Sequence, residues 1–217
     1  MTPTQQKIII AYPTYAKFLD DYKPAQLLVT YADINTISKS VAVINPRLML
    51  EDINMAYSTD KLNAGVAYVK SWLDFLNKFS NLNKQLTETE SVAFMIYNGH
   101  KSFYLTDMKI IFEKIMRCEY GIFYGSVDAP RILGAFTQYA QDREVTLKTI
   151  NENCTRQVKE FMEPMYKAAT LRINPQIEGI NDADEQLKEK QRLWGIENIR
   201  LNKIRDTFAE ETLKKIV

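Results

Sequence analysis

From Leu62 onward the apolar residues return at helical spacing. Leu62, Val66, Val69, Leu73 and Leu76 follow one another at steps of four and three, and Trp72 and Phe79 widen the stripe. That period predicts an amphipathic helix of about five turns. Thr87-Glu88-Thr89-Glu90 then reads as a capping box, with Thr87 the cap and Glu90 reaching back. The helix it opens carries Val92, Met95 and Ile96 and ends near Asn98-Gly99. Another begins at Thr106 or Asp107, turns Met108, Ile111, Phe112 and Ile115 inward, and stops by Gly121. Asp128 is a good N-cap with Pro130 in the following first turn, and Ile132, Leu133, Phe136, Tyr139 and Ala140 keep the period. The pattern continues through Val145, Leu147 and Ile150 towards Phe161 and Met165, with a kink or interruption expected at Pro164. Pro175 and Gly179 mark a break, after which Asp182 or Asp184 caps a last helix reaching Val217.

Upstream of Leu62 the pattern is harder to read. Ile8 to Leu19 fits an amphipathic helix broken or restarted at Pro13, with Tyr12, Tyr15 and Phe18 on one side. Gln26–Tyr31 and Val41–Ile44 are short and β-branched, so period alone does not separate strand from buried helix. No Asn-Gly or Gly-Gly turn joins them, which favours helix. A short helix carrying Leu48, Ile53 and Met55 is expected after Pro46.

Composition agrees with an all-α fold. Seven glycines and seven prolines in 217 residues are about 6% of the chain against roughly 12% in average usage. Few tight turns can be built from so few. Lys and Arg number 28 against 27 Asp and Glu, a net charge of +1, so a generic polyanion binder is not indicated. Cys118 and Cys154, the only cysteines, suit neither a disulfide framework nor a zinc site. Ile8-Ile9-Ile10 is too short for a signal peptide, and no apolar run spans a membrane. The chain reads as cytoplasmic and reduced, with no cofactor expected.

Candidate catalytic chemistry is sparse. No phosphate loop, dinucleotide fingerprint, zinc-protease or serine-hydrolase motif occurs. The paired carboxylates Asp20-Asp21, Glu88/Glu90 and Asp182/Asp184 stand at helix ends, where capping accounts for them. His100, the single histidine, falls at a helix terminus. The sequence therefore points away from an enzyme.

Two segments offer binding chemistry instead. In Cys118–Pro130, CEYGIFYGSVDAP, each glycine follows a tyrosine, so Gly121, Gly125 and Asp128 predict a structural turn. Tyr120, Phe123 and Tyr124 on that turn either seal the helix junction or present a docking surface. In the tail, Leu187, Trp194, Leu201 and Phe208 recur every seven residues among charges. So narrow a seam suits a helix–helix contact, within the chain or with a partner through Trp194, Leu201 and Phe208. Lys188, Arg192, Arg200 and Lys203 beside these aromatics make the tail an alternative nucleic-acid site. Interleaved acids nearly neutralise it, and a solvated, salt-bridged face is the better reading.

Between about Asn45 and Arg143 the chain resembles a group of small, largely uncharacterised helical proteins of phages and mobile elements of Bacteroides-type bacteria. The likeness rests on Leu105-Thr106-Asp107, Tyr120-Gly121, Phe123-Tyr124-Gly125, Asp128, and the closing Tyr139 and Arg143. The group's Gly-Lys-Tyr-Gly becomes Cys118-Glu119-Tyr120-Gly121 here, which loses a flexible stop and reverses a charge. The resemblance implies a phage or mobile-element context and DNA replication, where small helical adaptors load or regulate a helicase.

The expectation is thus an all-α protein of several packed helices with a long C-terminal helix. Residues 1–45 form an N-terminal helical segment, 46–170 a central helical domain and 171–217 a C-terminal extension. Its function is that of a non-enzymatic adaptor in a bacterial host cell. Its partner is a replicative helicase or another phage or host protein, and self-association is compatible with the tail. A nucleic-acid-binding module and a virion-associated structural protein are the alternatives.

Overall fold

The computed structural model describes residues 3–42, 48–80 and 84–216. Among these residues the protein is all-α, with ten helices and no strand. They are α1 (Pro3–Ala11), α2 (Tyr15–Tyr22), α3 (Pro24–Thr30), α4 (Ile37–Ala42), α5 (Leu50–Tyr57), α6 (Ala64–Ser80), α7 (Thr89–Gly99), α8 (Leu105–Met116), α9 (Ala129–Ile177) and α10 (Ala183–Ile216). The expected start at Pro46 and the Val43-Ile44 end of the β-branched run lie outside the described residues; Val41 and Ala42 are helical. The chain divides into two compact units, Met1–Val145 and Thr146–Val217. The sequence reading had divided it at 46 and 171.

In the first unit α6 lies among α3, α5, α7 and α8. Its stripe buries Val66, Val69, Trp72, Leu73 and Leu76 as the period requires, and Tyr68 in addition. Trp72 stacks on Phe112 of α8 at 5.0 Å between ring centroids, and Phe112 meets Phe136 of α9 edge-on at 5.8 Å. Gly65 sets the approach of α7, because a Cβ there would stand 2.3 Å from the Tyr97 ring. In the last turn of α6, buried Asn77 grips the segment that follows: its Nδ2 donates to Leu86 O and its Oδ1 accepts from Leu86 N.

The N-terminal helices belong to this same core. Phe18 and Leu27 are fully buried, and Phe18 stacks on Tyr22 at 4.7 Å among Tyr15, Tyr57 and Tyr68. Tyr57 Oη donates to Tyr12 O and Tyr68 Oη to Tyr22 O, tying the first two helices to α5 and α6. These bonds satisfy carbonyls at the helix ends around Pro13 and Pro24.

Three local expectations change. Thr87 does not cap α7; Glu88 holds that position and makes no side-chain cap bond. Asn77's grip on Leu86 sets the entry into the helix instead. Met55, Phe79 and Met95, counted among the apolar positions of their helices, are all more than half exposed, since each lies at the margin of its stripe. Finally, α9 runs unbroken through Pro164 and into Pro175. Phe161, Met162 and Met165 flank Pro164 and pack against α10, so tertiary burial offsets the missing backbone bond there.

The second unit is an antiparallel hairpin of the end of α9 and α10. Phe161 stacks on Phe208 at 3.8 Å, Arg172 pairs with Glu197, and Gln186 Nε2 donates to Ile177 O at the hairpin's closed end. Asp182 caps α10, its Oδ1 accepting from the backbone N–H of Asp184 and Glu185 at 2.9 Å each.

The burial of α2 in the main core carries a direct expectation. Phe18→Ala should destabilise the first unit by about 3–5 kcal/mol in chemical denaturation. A loss below about 1 kcal/mol would mean that the N-terminal helices do not share that core.

Candidate functional site

The densest polar arrangement surrounds Asp107 in the first turn of α8. Its carboxylate is fully buried. Oδ2 accepts from Tyr104 N at 2.9 Å, which caps the helix, and from Arg143 Nε of α9 at 3.1 Å. Oδ1 accepts from Ser40 Oγ of α4 at 2.8 Å and from Tyr139 Oη of α9 at 2.7 Å. Because Ser40 donates to the carboxylate, its 2.7 Å bond with Thr106 is donated by Thr106 Oγ1. Arg143 is sandwiched near the rings of Phe103 and Tyr104, at 5.4 and 5.3 Å. Burial, then the adjacent Asp107, pushes the Tyr139 phenol pKa well up, so it stays protonated as a donor.

Two residues on, Lys109 is also fully buried. Its ammonium donates to Ile34 O at 3.0 Å and to Glu113 at 2.6 Å, and Glu113 also holds Arg117. Both oxygens of Asp107 carry two donors, leaving no lone pair free for proton abstraction. This network clamps α4, α8 and α9 together; it is built to hold.

The aromatic turn begins where α8 ends. Cys118 N donates to Ile115 O and Glu119 N to Lys114 O, the paired bonds of a Schellman motif. The left-handed residue of that motif is Cys118, at φ 60°, and not Gly121 as the glycine pattern implied. Lys114 and Glu119, which usually make an apolar contact across such a motif, are 3.8 Å apart as an ion pair. Gly121 follows at φ 101° and Gly125 at φ 73°. Arg131 of α9 reaches back to donate to Ile122 O and lies 6.0 Å over the Phe123 ring. A side chain at Gly121 would press on that guanidinium at 3.2 Å. Val127 is buried, its N–H donating to Lys84 O, and Asp128 O accepts the first helical bond of α9 from Ile132 N.

The two tyrosines of the turn have opposite surroundings. Tyr120 packs against the core, and its buried hydroxyl has no hydrogen-bond partner among the described residues. Burial, followed by Asp142 and Glu119, pushes its pKa up to about 12. Tyr124 is 81% exposed and Ile122 53% exposed. Beside them Leu76, Phe79, Ile115, Met116, Ile122 and Phe123 line an apolar groove of about 190 Å³, with exposed Cys118 at its rim.

The tail residues are placed differently. Leu201 is buried against Met162 and Ala169, Trp194 and Ile204 pack beside it, and Phe208 stacks on Phe161. Trp194, Leu201 and Phe208 thus meet α9 of the same chain, while Leu187 is more than half exposed. Among the basic residues Arg192 is held by Glu189 in two bonds and Arg200 lies 3.7 Å from Glu197, while Lys188 and Lys203 are exposed. The cations do not merge into a continuous basic stripe. His100 caps the end of α7 and stacks on Phe103 at 4.6 Å, and burial lowers its pKa.

No protein-family model, curated protein or solved structure matches the chain. Among the described residues no helix is long and apolar enough to cross a membrane, and no cluster of His, Cys, Asp and Glu is arranged to hold a metal ion.

Two measurements probe this region. Asp107→Asn should cost about 3–5 kcal/mol in urea denaturation, because it leaves Arg143 and its fellow donors around a neutral amide. Tyr120→Phe should be neutral or stabilise by up to about 1 kcal/mol, since it removes an unpaired buried hydroxyl. The raised Tyr120 pKa adds stability that is complete below its ordinary value of 10 and is lost as pH rises through about 12. The phenylalanine variant should therefore lose less stability over that alkaline window than wild type.

Proposed function

We propose that this chain is a non-enzymatic helical adaptor whose protein partner docks on the Tyr124 turn. One observation carries the reading. A large aromatic side chain stands almost fully in solvent on a turn that is braced at both ends by Arg131, Gly121, Gly125 and the Val127–Lys84 bond. A tyrosine held that way loses little conformational entropy on binding, the property of an interface anchor. The neighbouring apolar groove offers a seat for an apolar partner side chain.

The saturated bonding of Asp107 supports a structural role for the main polar cluster and gives no support to catalysis. The neutralised arginines of α10 make nucleic-acid binding the weaker reading. With the resemblance to small phage and mobile-element proteins, the proposal narrows to a DNA-replication accessory of the helicase-loader or regulator type in a bacterial host.

Tyr124→Ala should leave the thermal midpoint unchanged and weaken binding to the purified host replicative helicase by about tenfold or more. Unchanged affinity in the variant would remove the turn from the interface. Absence of helicase binding by the wild-type chain would remove the replication assignment.

A further inference from the structure

The second unit leaves several large apolar side chains in solvent. Met162, Ile173, Ile177 and Leu201 are buried, whereas Leu171, Leu187, Ile196 and Ile199 are more than half exposed. Two antiparallel helices share only one seam, and helical cores ordinarily need a further layer.

One flank of the hairpin is shaped to receive that layer. Phe161, Ile204, Thr207 and Phe208 line a groove of about 310 Å³, together with Lys203 and Glu211. Both charges are exposed and neither has an ion-pair partner among the described residues. They stand four residues to either side of Thr207, so a two-fold axis through Thr207 puts each Lys203 against Glu211 of a second copy. We propose that α10 pairs with α10 of a second copy of this chain across this groove.

The helix surface fits the geometry. Lys203, Thr207 and Glu211 form one ridge at steps of four, and Ile204 and Phe208 form the next. Ridges of this kind interdigitate at a crossing of roughly 50°. At that angle residues four from the axis stay within reach of one another. Arg200 and Lys214, seven residues away, have diverged before their like charges meet. Thr207 donates its hydroxyl to Lys203 O of its own helix, so it brings no unpaired polar group to the crossing point. None of these residues belongs to the Tyr124 turn, and self-association here stands or falls independently of the adaptor reading.

Sedimentation of the full chain tests this. At about 10 μM, wild type should run as a dimer of Kd about 1 μM or tighter. Lys203→Glu and Glu211→Lys should each weaken it by about tenfold, because each reversal turns two symmetry-related attractions into repulsions. The double variant should recover wild-type association. Both side chains lie in solvent, and an unchanged far-ultraviolet spectrum will establish that the variants fold. A monomeric wild type, a larger assembly, single reversals without effect, or a double variant no better than the singles would each overturn the proposal.

Discussion

A buried carboxylate requires donors for its lone pairs, and Asp107 finds four of them, three on side chains of α4 and α9 and one at its own helix cap. The Tyr104 amide is local, three residues upstream. Ser40 lies 67 positions upstream, and Tyr139 and Arg143 lie 32 and 36 downstream. Only when α4 and α9 are seated on α8 is the desolvation of that charge offset. Packing of the first unit and satisfaction of this one group are therefore the same event. Lys109 repeats the logic two residues later, taking a carbonyl from the loop after α3 and a carboxylate from its own helix.

The aromatic turn inherits its rigidity from this arrangement. It leaves α8 through a Schellman stop and enters α9 at Asp128, and α8 and α9 are the helices that Asp107 clamps together. Arg131, one turn into α9, then reaches back to hold the turn's own backbone. Tyr120 is driven into the junction at the cost of an unpaired hydroxyl, while Tyr124 is left in water. Thr106, Asp107, Tyr139 and Arg143 build the clamp, and Gly121, Tyr124 and Gly125 build the turn it supports.

Helical period made the class of fold and most of the central elements readable in advance, because apolar steps of three and four need no knowledge of what they face. Burial of Val66, Leu73, Met108, Ile111 and Phe112 follows from that pattern alone, while of the two caps the sequence offered, Asp182 or Asp184, the structure uses Asp182. The positive φ of the two turn glycines was likewise a local matter. The margins of each stripe were not: whether Phe79 or Met95 is covered depends on the width of the neighbouring helix, which no local spacing encodes.

What tertiary structure alone decided was long-range satisfaction. Nothing near Asp107 in the chain announces Ser40, and a Tyr-x-x-x-Arg step is ordinary until a carboxylate lies opposite it. Packing with α10 likewise let α9 pass Pro164, where local propensity alone calls for a break. Cys118 took the left-handed stop because the last turn of α8 had to end there, despite glycine's advantage three residues later. Local chemistry determined which segments are helices and where most of them start; the helices' need to bury shared charges and aromatic rings determined which of them meet.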